Sequence, residues 1–299
     1  MIKNLFYLLI FGSTLIQNIN AQIKITSKII IAQNDTIEFG YPVFSNSGNK
    51  ILFTTLDYSN IYKLKLNTQK VSQLVDGELL GFGFSISDDD KYVAYRKTTW
   101  NGNNRIQENF ITNLENQKST LVEFGEELEL PNFKLLSTKI KKELNITGLT
   151  SNEVILKGIV DERIQIYQNG KTKTVDPIKD GRYIWPKLSP NKKLLVAYEL
   201  SEGIIIFDLN GKIIQKLGYY DSPSWTKDGK WIICHKESDS DKEIIKSELY
   251  ALSIDGNKKI QLTNSTEIEL FPETSKTQNQ IVCHTKEGKI ILFDYEIEE

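Results

Sequence analysis

The sequence predicts an all-β protein, a six-bladed β-propeller whose ring is closed by an N-terminal strand joining the last blade. Three observations carry this. One strand–turn–strand unit recurs six times, each copy is followed by further short strands, and the final copy lacks a strand that reappears near the start of the chain. Repeats come first because a missed period misassigns the whole fold.

The clearest copy is Ser222-Pro223-Ser224-Trp225-Thr226-Lys227-Asp228-Gly229-Lys230-Trp231-Ile232-Ile233-Cys234-His235-Lys236. It reads as a short strand, a tight turn at Lys227-Asp228-Gly229 and a second, apolar strand. Tyr41 to Phe53, Phe84 to Tyr95 and Trp185 to Ala197 repeat it. Phe271-Pro272-Glu273-Thr274-Ser275, leading into Gln280-Ile281-Val282-Cys283, is a further copy, and Gly148 to Leu156 is the poorest. The Ser or Thr that anchors each turn falls at 45, 87, 150, 189, 226 and 275, at intervals between 37 and 63 residues. The longest interval holds Pro131 to Leu144, read as an insertion or an extra turn in one blade.

Third strands follow, as in Ile204-Ile205-Ile206-Phe207-Asp208-Leu209, Leu249-Tyr250-Ala251-Leu252-Ser253 and Ile290-Ile291-Leu292-Phe293-Asp294-Tyr295. Fourth strands follow Asn-Gly or Asp-Gly turns, as in Lys212 to Leu217 and Lys259 to Thr263. Four short antiparallel strands in roughly forty residues are one propeller blade. The last blade has only three, but Ile30-Ile31-Ala32-Gln33-Asn34-Asp35-Thr36 aligns without gaps on Ile260-Gln261-Leu262-Thr263-Asn264-Ser265-Thr266. The segment near Ile29 to Gln33 is therefore expected to pair with Ile290 to Tyr295 and remove the open sheet edge.

Pro223-Ser224-Trp225-Thr226-Lys227-Asp228-Gly229-Lys230-Trp231-Ile232, with Lys259-Ile260-Gln261-Leu262-Thr263-Asn264 as the closing part, resembles the repeat of TolB-type, WD40-like six-bladed propellers. The resemblance spans about residues 30 to 295 and implies a periplasmic propeller that binds envelope partners. Because the repeats begin almost at the expected mature start, the additional N-terminal α/β domain of TolB is expected to be missing, which departs from a complete Tol role.

Residues 1–21 read as an export signal peptide and 22–299 as a single propeller domain. Lys3 is the only charge in the leader; Leu5 to Phe11 forms a short apolar core, and Ala21 precedes Gln22 as a small residue at the cut. The run is shorter than the ~20 apolar residues of a membrane span, and no Cys lies near the cut to carry a lipid. The expected protein is periplasmic or secreted, without a membrane span once the signal is removed. Formal charge of −2 and 25% charged residues give no basic surface, which excludes nucleic acid as a partner.

The chain has two histidines, each directly after a cysteine: Cys234-His235 and Cys283-His284. Both residue types bind zinc, but neighbours on a strand face opposite ways. The cysteines also occupy the slot of Phe53 and Tyr95 in other blades, so they are read as buried fillers without metal or disulfide. No Gly-x-Ser-x-Gly, His-Glu-x-x-His or P-loop occurs. Asp88-Asp89-Asp90 reads as solvated turn carboxylates, Glu126-Glu127-Leu128-Glu129 as a surface run, and Asp239-Ser240-Asp241-Lys242-Glu243 as an incomplete calcium loop.

The candidate binding residues lie where connectors from a fourth strand to the next first strand gather at one mouth of the channel. They are Tyr41, Arg182, Tyr183, Tyr219, Tyr220, Asp221, Glu269 and Phe271, with Phe82 beside them; aromatics with an Arg and an acid suit binding hot spots. Trp225 and Phe44 are read as packing between blades. The functional expectation is a non-catalytic, monomeric platform for an envelope protein or peptide, or a glycan, with no cofactor. The alternative is a carbohydrate-active lyase or glycoside hydrolase with its site in the channel; a peptidase is a weaker third.

Overall fold

The computed structural model describes residues 22–78, 80, 83–122, 142, 153–240 and 243–298. The 23 strands among these residues form six antiparallel sheets arranged as blades. Blade I holds β2 (Phe39–Phe44), β3 (Lys50–Thr55), β4 (Ile61–Lys65) and β5 (Lys70–Val75). Blade II holds β6 (Phe84–Ile86), β7 (Tyr92–Asn101), β8 (Asn104–Asn113) and β9 (Ser119–Val122); blade III contributes β10 (Ile155–Val160), β11 (Arg163–Gln168) and β12 (Lys171–Val175). Blade IV runs from β13 (Tyr183–Leu188) through β14 (Leu194–Glu199) and β15 (Gly203–Asp208) to β16 (Ile213–Gly218). Blade V holds β17 (Asp221–Trp225), β18 (Trp231–Ser240), β19 (Glu243–Ser253) and β20 (Lys259–Gln261). Blade VI holds β21 (Glu269–Thr274), β22 (Gln280–Thr285) and β23 (Ile290–Glu298), with β1 (Gln22–Ala32) as its fourth strand.

The repeated Ser or Thr is a turn device. Ser87, Ser189 and Thr226 are buried, and each hydroxyl donates to the Asp or Asn two residues on, at 2.7, 2.8 and 2.6 Å. Each also accepts the N–H five residues on, from Tyr92, Leu194 and Trp231, at 2.9 to 3.1 Å. The side chain thus replaces ladder partners that the turn removes. The fourth turn residue is left-handed: Gly229 at φ 68° and, without glycine's freedom, Asp90 at φ 55°. Asp90 is not solvated, as the sequence suggested. It is 8% exposed and accepts the Asn46 and Ser47 N–H groups at 2.7 and 2.9 Å, latching blade II to blade I and holding its carboxyl below the usual range against the cost of burial.

The hydrophobic cores lie between blades. Trp231, Ile233, Leu249 and Ala251 of blade V meet Ile281, Cys283, Ile291 and Phe293 of blade VI, while Ile51, Phe53 and Leu64 of blade I meet Val282 and Leu292. Cys234 packs in the interface of blades IV and V instead. Both cysteines are buried and free, and their separate interfaces keep them apart. Trp225 and Phe44 pack between blades as expected.

Ring closure follows the sequence expectation and extends it. Ile29 faces Leu292, Ile30 faces Ile291 and Ala32 faces Ile290, but pairing continues back to Gln22 opposite Glu298. Lys28 on β1 reaches Glu267 and Glu269, at 2.8 Å each, tying the closing strand to the connector between blades V and VI. Glu269 is fully buried, so this ammonium is the charge that balances it. Lys28→Met is expected to lower the unfolding free energy by roughly 2–4 kcal/mol, because it leaves a buried carboxylate unpaired; a urea denaturation series reads this as a lower midpoint at unchanged slope.

Candidate functional site: the central channel

Four first strands carry the same local break. Tyr41-Pro42, Trp185-Pro186, Ser222-Pro223 and Phe271-Pro272 each sit in a bulge, where the register with the second strand skips. Proline offers no N–H to the ladder, and a bulge accommodates that loss. The residue before each proline takes positive φ, between 50° and 54°, a conformation that costs a non-glycine residue about 1 kcal/mol or more. Such strain, repeated at equivalent positions, turns these side chains toward the channel.

Three of the four are aromatic, and they meet. Phe271 is the hub, with Tyr41 edge-on at 5.1 Å and Trp185 edge-on at 5.8 Å between ring centroids. His284 stacks on Phe271 at 5.4 Å, and His235 lies tilted at 5.5 Å. Tyr58, from the turn between β3 and β4, stacks on Tyr41 at 4.5 Å. Tyr41, Trp185 and Phe271 remain half-buried, whereas both imidazoles are 1% exposed.

Strand alternation explains the histidines. Cys234 and Cys283 each face the preceding blade, IV and V respectively, so His235 and His284 face the other way and converge on Phe271. His284 Nδ1 accepts the Tyr41 backbone N–H at 3.1 Å, which supports the strained bulge. Burial, with His235 adding repulsion, pushes the His284 pKa down to about 3. His235 Nε2 lies 3.0 Å from Glu237 Oε1, and its Nδ1 is buried without a partner among the described residues. Asp221 faces His235 across the ladder; burial raises its carboxyl, His235 opposes this, and Glu237 and Asp239 raise it further. Among the described residues, no group of three or more His, Cys, Asp or Glu is placed to hold a metal ion.

Two hairpins rise above the others on the connector side. Strands β7, β8, β18 and β19 run 10 or 11 residues, whereas β3, β4, β14 and β15 run 5 or 6. Blades II and V stand opposite each other in the ring, so the hairpins flank the mouth, with Trp100, Ile106 and Ile245 exposed on them.

The expected residues divide into two groups. Tyr41, Asp221 and Phe271 line the channel, and Arg182 and Tyr219 are exposed at its rim, with the Tyr219 hydroxyl donating to Ser201 O at 2.6 Å. Tyr183, Tyr220 and Glu269 are buried. The Tyr183 hydroxyl donates to Asp176 at 2.7 Å and accepts the Ile178 N–H at 2.8 Å, pinning a connector. Tyr220 packs on Tyr250 at 5.2 Å beneath the ammoniums of Lys236 and Lys259, and Glu269 binds Lys28. These three hold the mouth in shape. Phe82, Glu126 to Glu129, Asp241 and Lys242 lie outside the described residues. Sequence reasoning weighed His235 and His284 as metal ligands, left Trp185 out of the binding set, and did not single out Tyr58 or Glu237; the aromatic-Pro dipeptide in three copies is the signal for Trp185.

Comparison with solved structures agrees with this architecture. TolB from Acinetobacter baumannii is 17% identical at a TM-score of 0.56, covering 79% of this chain and 57% of its own. The Myceliophteria thermophila Cps50 (Swd1) β-propeller domain is 10% identical at 0.56, covering 91% and 99% respectively. The tricorn protease is 15% identical at 0.51, covering 88% of this chain and 26% of its own. The likeness is one of fold. The chain spans little more than half of the TolB chain it matches, and 1110 solved chains share the shape, too many to single out an activity. No protein-family model and no curated protein matches the sequence.

The depressed His284 pKa has a consequence for stability. An unfolded imidazole takes its proton near pH 6.5 and the folded one only near 3, so the unfolded state binds the extra proton across that window. Stability present above pH 6.5 is therefore lost as pH falls toward 3. His284→Asn, whose amide oxygen can still accept the Tyr41 N–H, should remove on the order of 3–5 kcal/mol of this acid loss. Urea midpoints measured at intervals from pH 7 to 4 would read it as a flatter profile than wild type.

Proposed function

We propose that the protein is exported through residues 1–21 and acts as a non-catalytic binding platform, periplasmic or secreted, at the connector-side mouth of its channel. The observation that carries this reading is the cluster of Tyr41, Trp185 and Phe271, held half-buried at strained X-Pro bulges. Rigid aromatic surface ordered before binding lowers the entropy cost of association. The ligand that suits it is a segment of an envelope protein or peptide with an apolar or aromatic side chain for the ring cluster. A cationic group on that segment would suit Asp221 and Glu237, and a glycan ring would suit the same aromatic surface. Among the described residues no helix is long and apolar enough to cross a membrane.

The test uses the protein as bait against envelope extract, beside an Arg182→Ala, Trp185→Ala, Tyr219→Ala variant. A partner held by wild type and lost from a variant of unchanged circular dichroism and melting temperature is the expected result. Equal capture by both would remove this mouth from consideration.

A second reading rests on Asp221, whose carboxyl is raised beside Glu237 and His235. It makes the protein a carbohydrate-active lyase or glycoside hydrolase with Asp221 as proton donor. On this reading, a polysaccharide panel would show turnover that Asp221→Asn lowers at least about a hundredfold; turnover unchanged in that variant would exclude Asp221 from the chemistry.

A further inference from the structure

The channel has a second mouth, on the side of the turns between first and second strands, and its chemistry differs. Lys187 and Glu273, two residues beyond Trp185 and Phe271 on their strands, form an ion pair from blade IV to blade VI. This pair lies beneath the aromatic cluster and lines a cavity of about 550 Å³ that opens toward the turns. The cavity wall is apolar, formed by Leu156, Pro186, Leu188 and Trp225, and the Trp225 indole is fixed by its N–H donating to Lys187 O at 3.1 Å.

The charged lining is lopsided. Among the described residues, Lys187, Lys192, Lys227 and Lys276 face the cavity against one carboxylate, Glu273, in a chain whose net charge is −2. Lys187 is neutralised by Glu273, and Lys192 pairs loosely with Glu153 at 3.3 Å. Neither Lys227 nor Lys276 has a carboxylate partner among the described residues; Lys276 donates to Asn46 Oδ1 at 2.6 Å. Asp228, next to Lys227, is turned into its own loop by the Thr226 hydroxyl and the Lys230 N–H, at 2.6 and 3.0 Å. Among the described residues, two ammoniums without ion pairs therefore stand at the edge of an apolar cavity. Low-dielectric walls focus such a field and favour an anion.

We propose that this second mouth is a binding site for a small organic anion, an apolar body carrying a carboxylate or a phosphate. The volume lies within the range of ligand pockets, about 300–1,000 Å³. The apolar body contacts Trp225, Leu188 and Pro186, and the anionic group contacts Lys227 and Lys276. The site is separate from the connector-side platform, so the two readings stand or fall apart.

Isothermal titration with 2-naphthyl phosphate, 2-naphthoate, neutral 2-naphthol and inorganic phosphate tests it. Saturable one-to-one binding of at least one naphthyl anion is expected, weakened by added salt, with naphthol and inorganic phosphate each much weaker. Which anion binds more tightly distinguishes phosphate from carboxylate. Lys227→Glu with Lys276→Glu should weaken binding on the order of tenfold or more, while capture at the connector side is unchanged. Lys227→Gln, a milder change in an exposed turn, should weaken it a few-fold and serves if the double variant does not fold. Absence of saturable binding by both naphthyl anions overturns the proposal. So does an affinity that the folded lysine variants leave unchanged.

Discussion

Burial between blades is the interaction on which the rest of this structure depends. A four-stranded sheet of this size cannot cover its own apolar faces, and the cores here are accordingly shared by neighbours: Trp231 with Ile281, Phe53 with Val282, Phe207 with Ile164. A ring of such sheets is stable only if no face and no edge is left open. That requirement gives β1 its importance. It covers β23 along nearly its full length, and Lys28 balances the buried Glu269 at the same junction.

The ring then determines what the channel can hold. First strands converge on the axis, so any residue they turn inward meets residues from other blades. The X-Pro bulges do this at a cost in backbone strain, with a physical compensation visible at Tyr41, whose N–H is accepted by His284. Phe271 gathers Tyr41, Trp185, His235 and His284 around it, and the ion pair of Lys187 with Glu273 lies beneath. The channel thus has an aromatic and acidic mouth on the connector side and an apolar, lysine-edged mouth on the turn side. Net charge conceals the difference, because Lys227 and Lys276 gather at one mouth of a channel that exists only in the closed ring.

Three of the expected mouth residues are buried for one reason. Tyr183, Tyr220 and Glu269 sit in the right connectors, but a connector residue can face the mouth or tuck beneath it, and a one-residue difference decides which. Tyr219 is exposed while its neighbour Tyr220 is buried against Tyr250. The histidines show the converse. Alternation was rightly taken to keep His235 from Cys234, yet the same alternation sends both imidazoles toward Phe271 from two strands. Asp90 has the composition of a solvated turn and the position of an inter-blade latch.

What the sequence determined by itself was the repeat: the turn chemistry of Ser87, Ser189 and Thr226, the apolar second and third strands, and the identity of the closing strand. These are local or periodic properties, written into residues a few positions apart and recurring from blade to blade. Only the tertiary structure decided which side chains share the channel and which charges face one another. Those contacts join Trp185 to Phe271, Lys187 to Glu273 and Lys28 to Glu269, across 86 or more residues of chain. Contacts between such distant residues depend on ring geometry and bulge direction, and no local pattern records either.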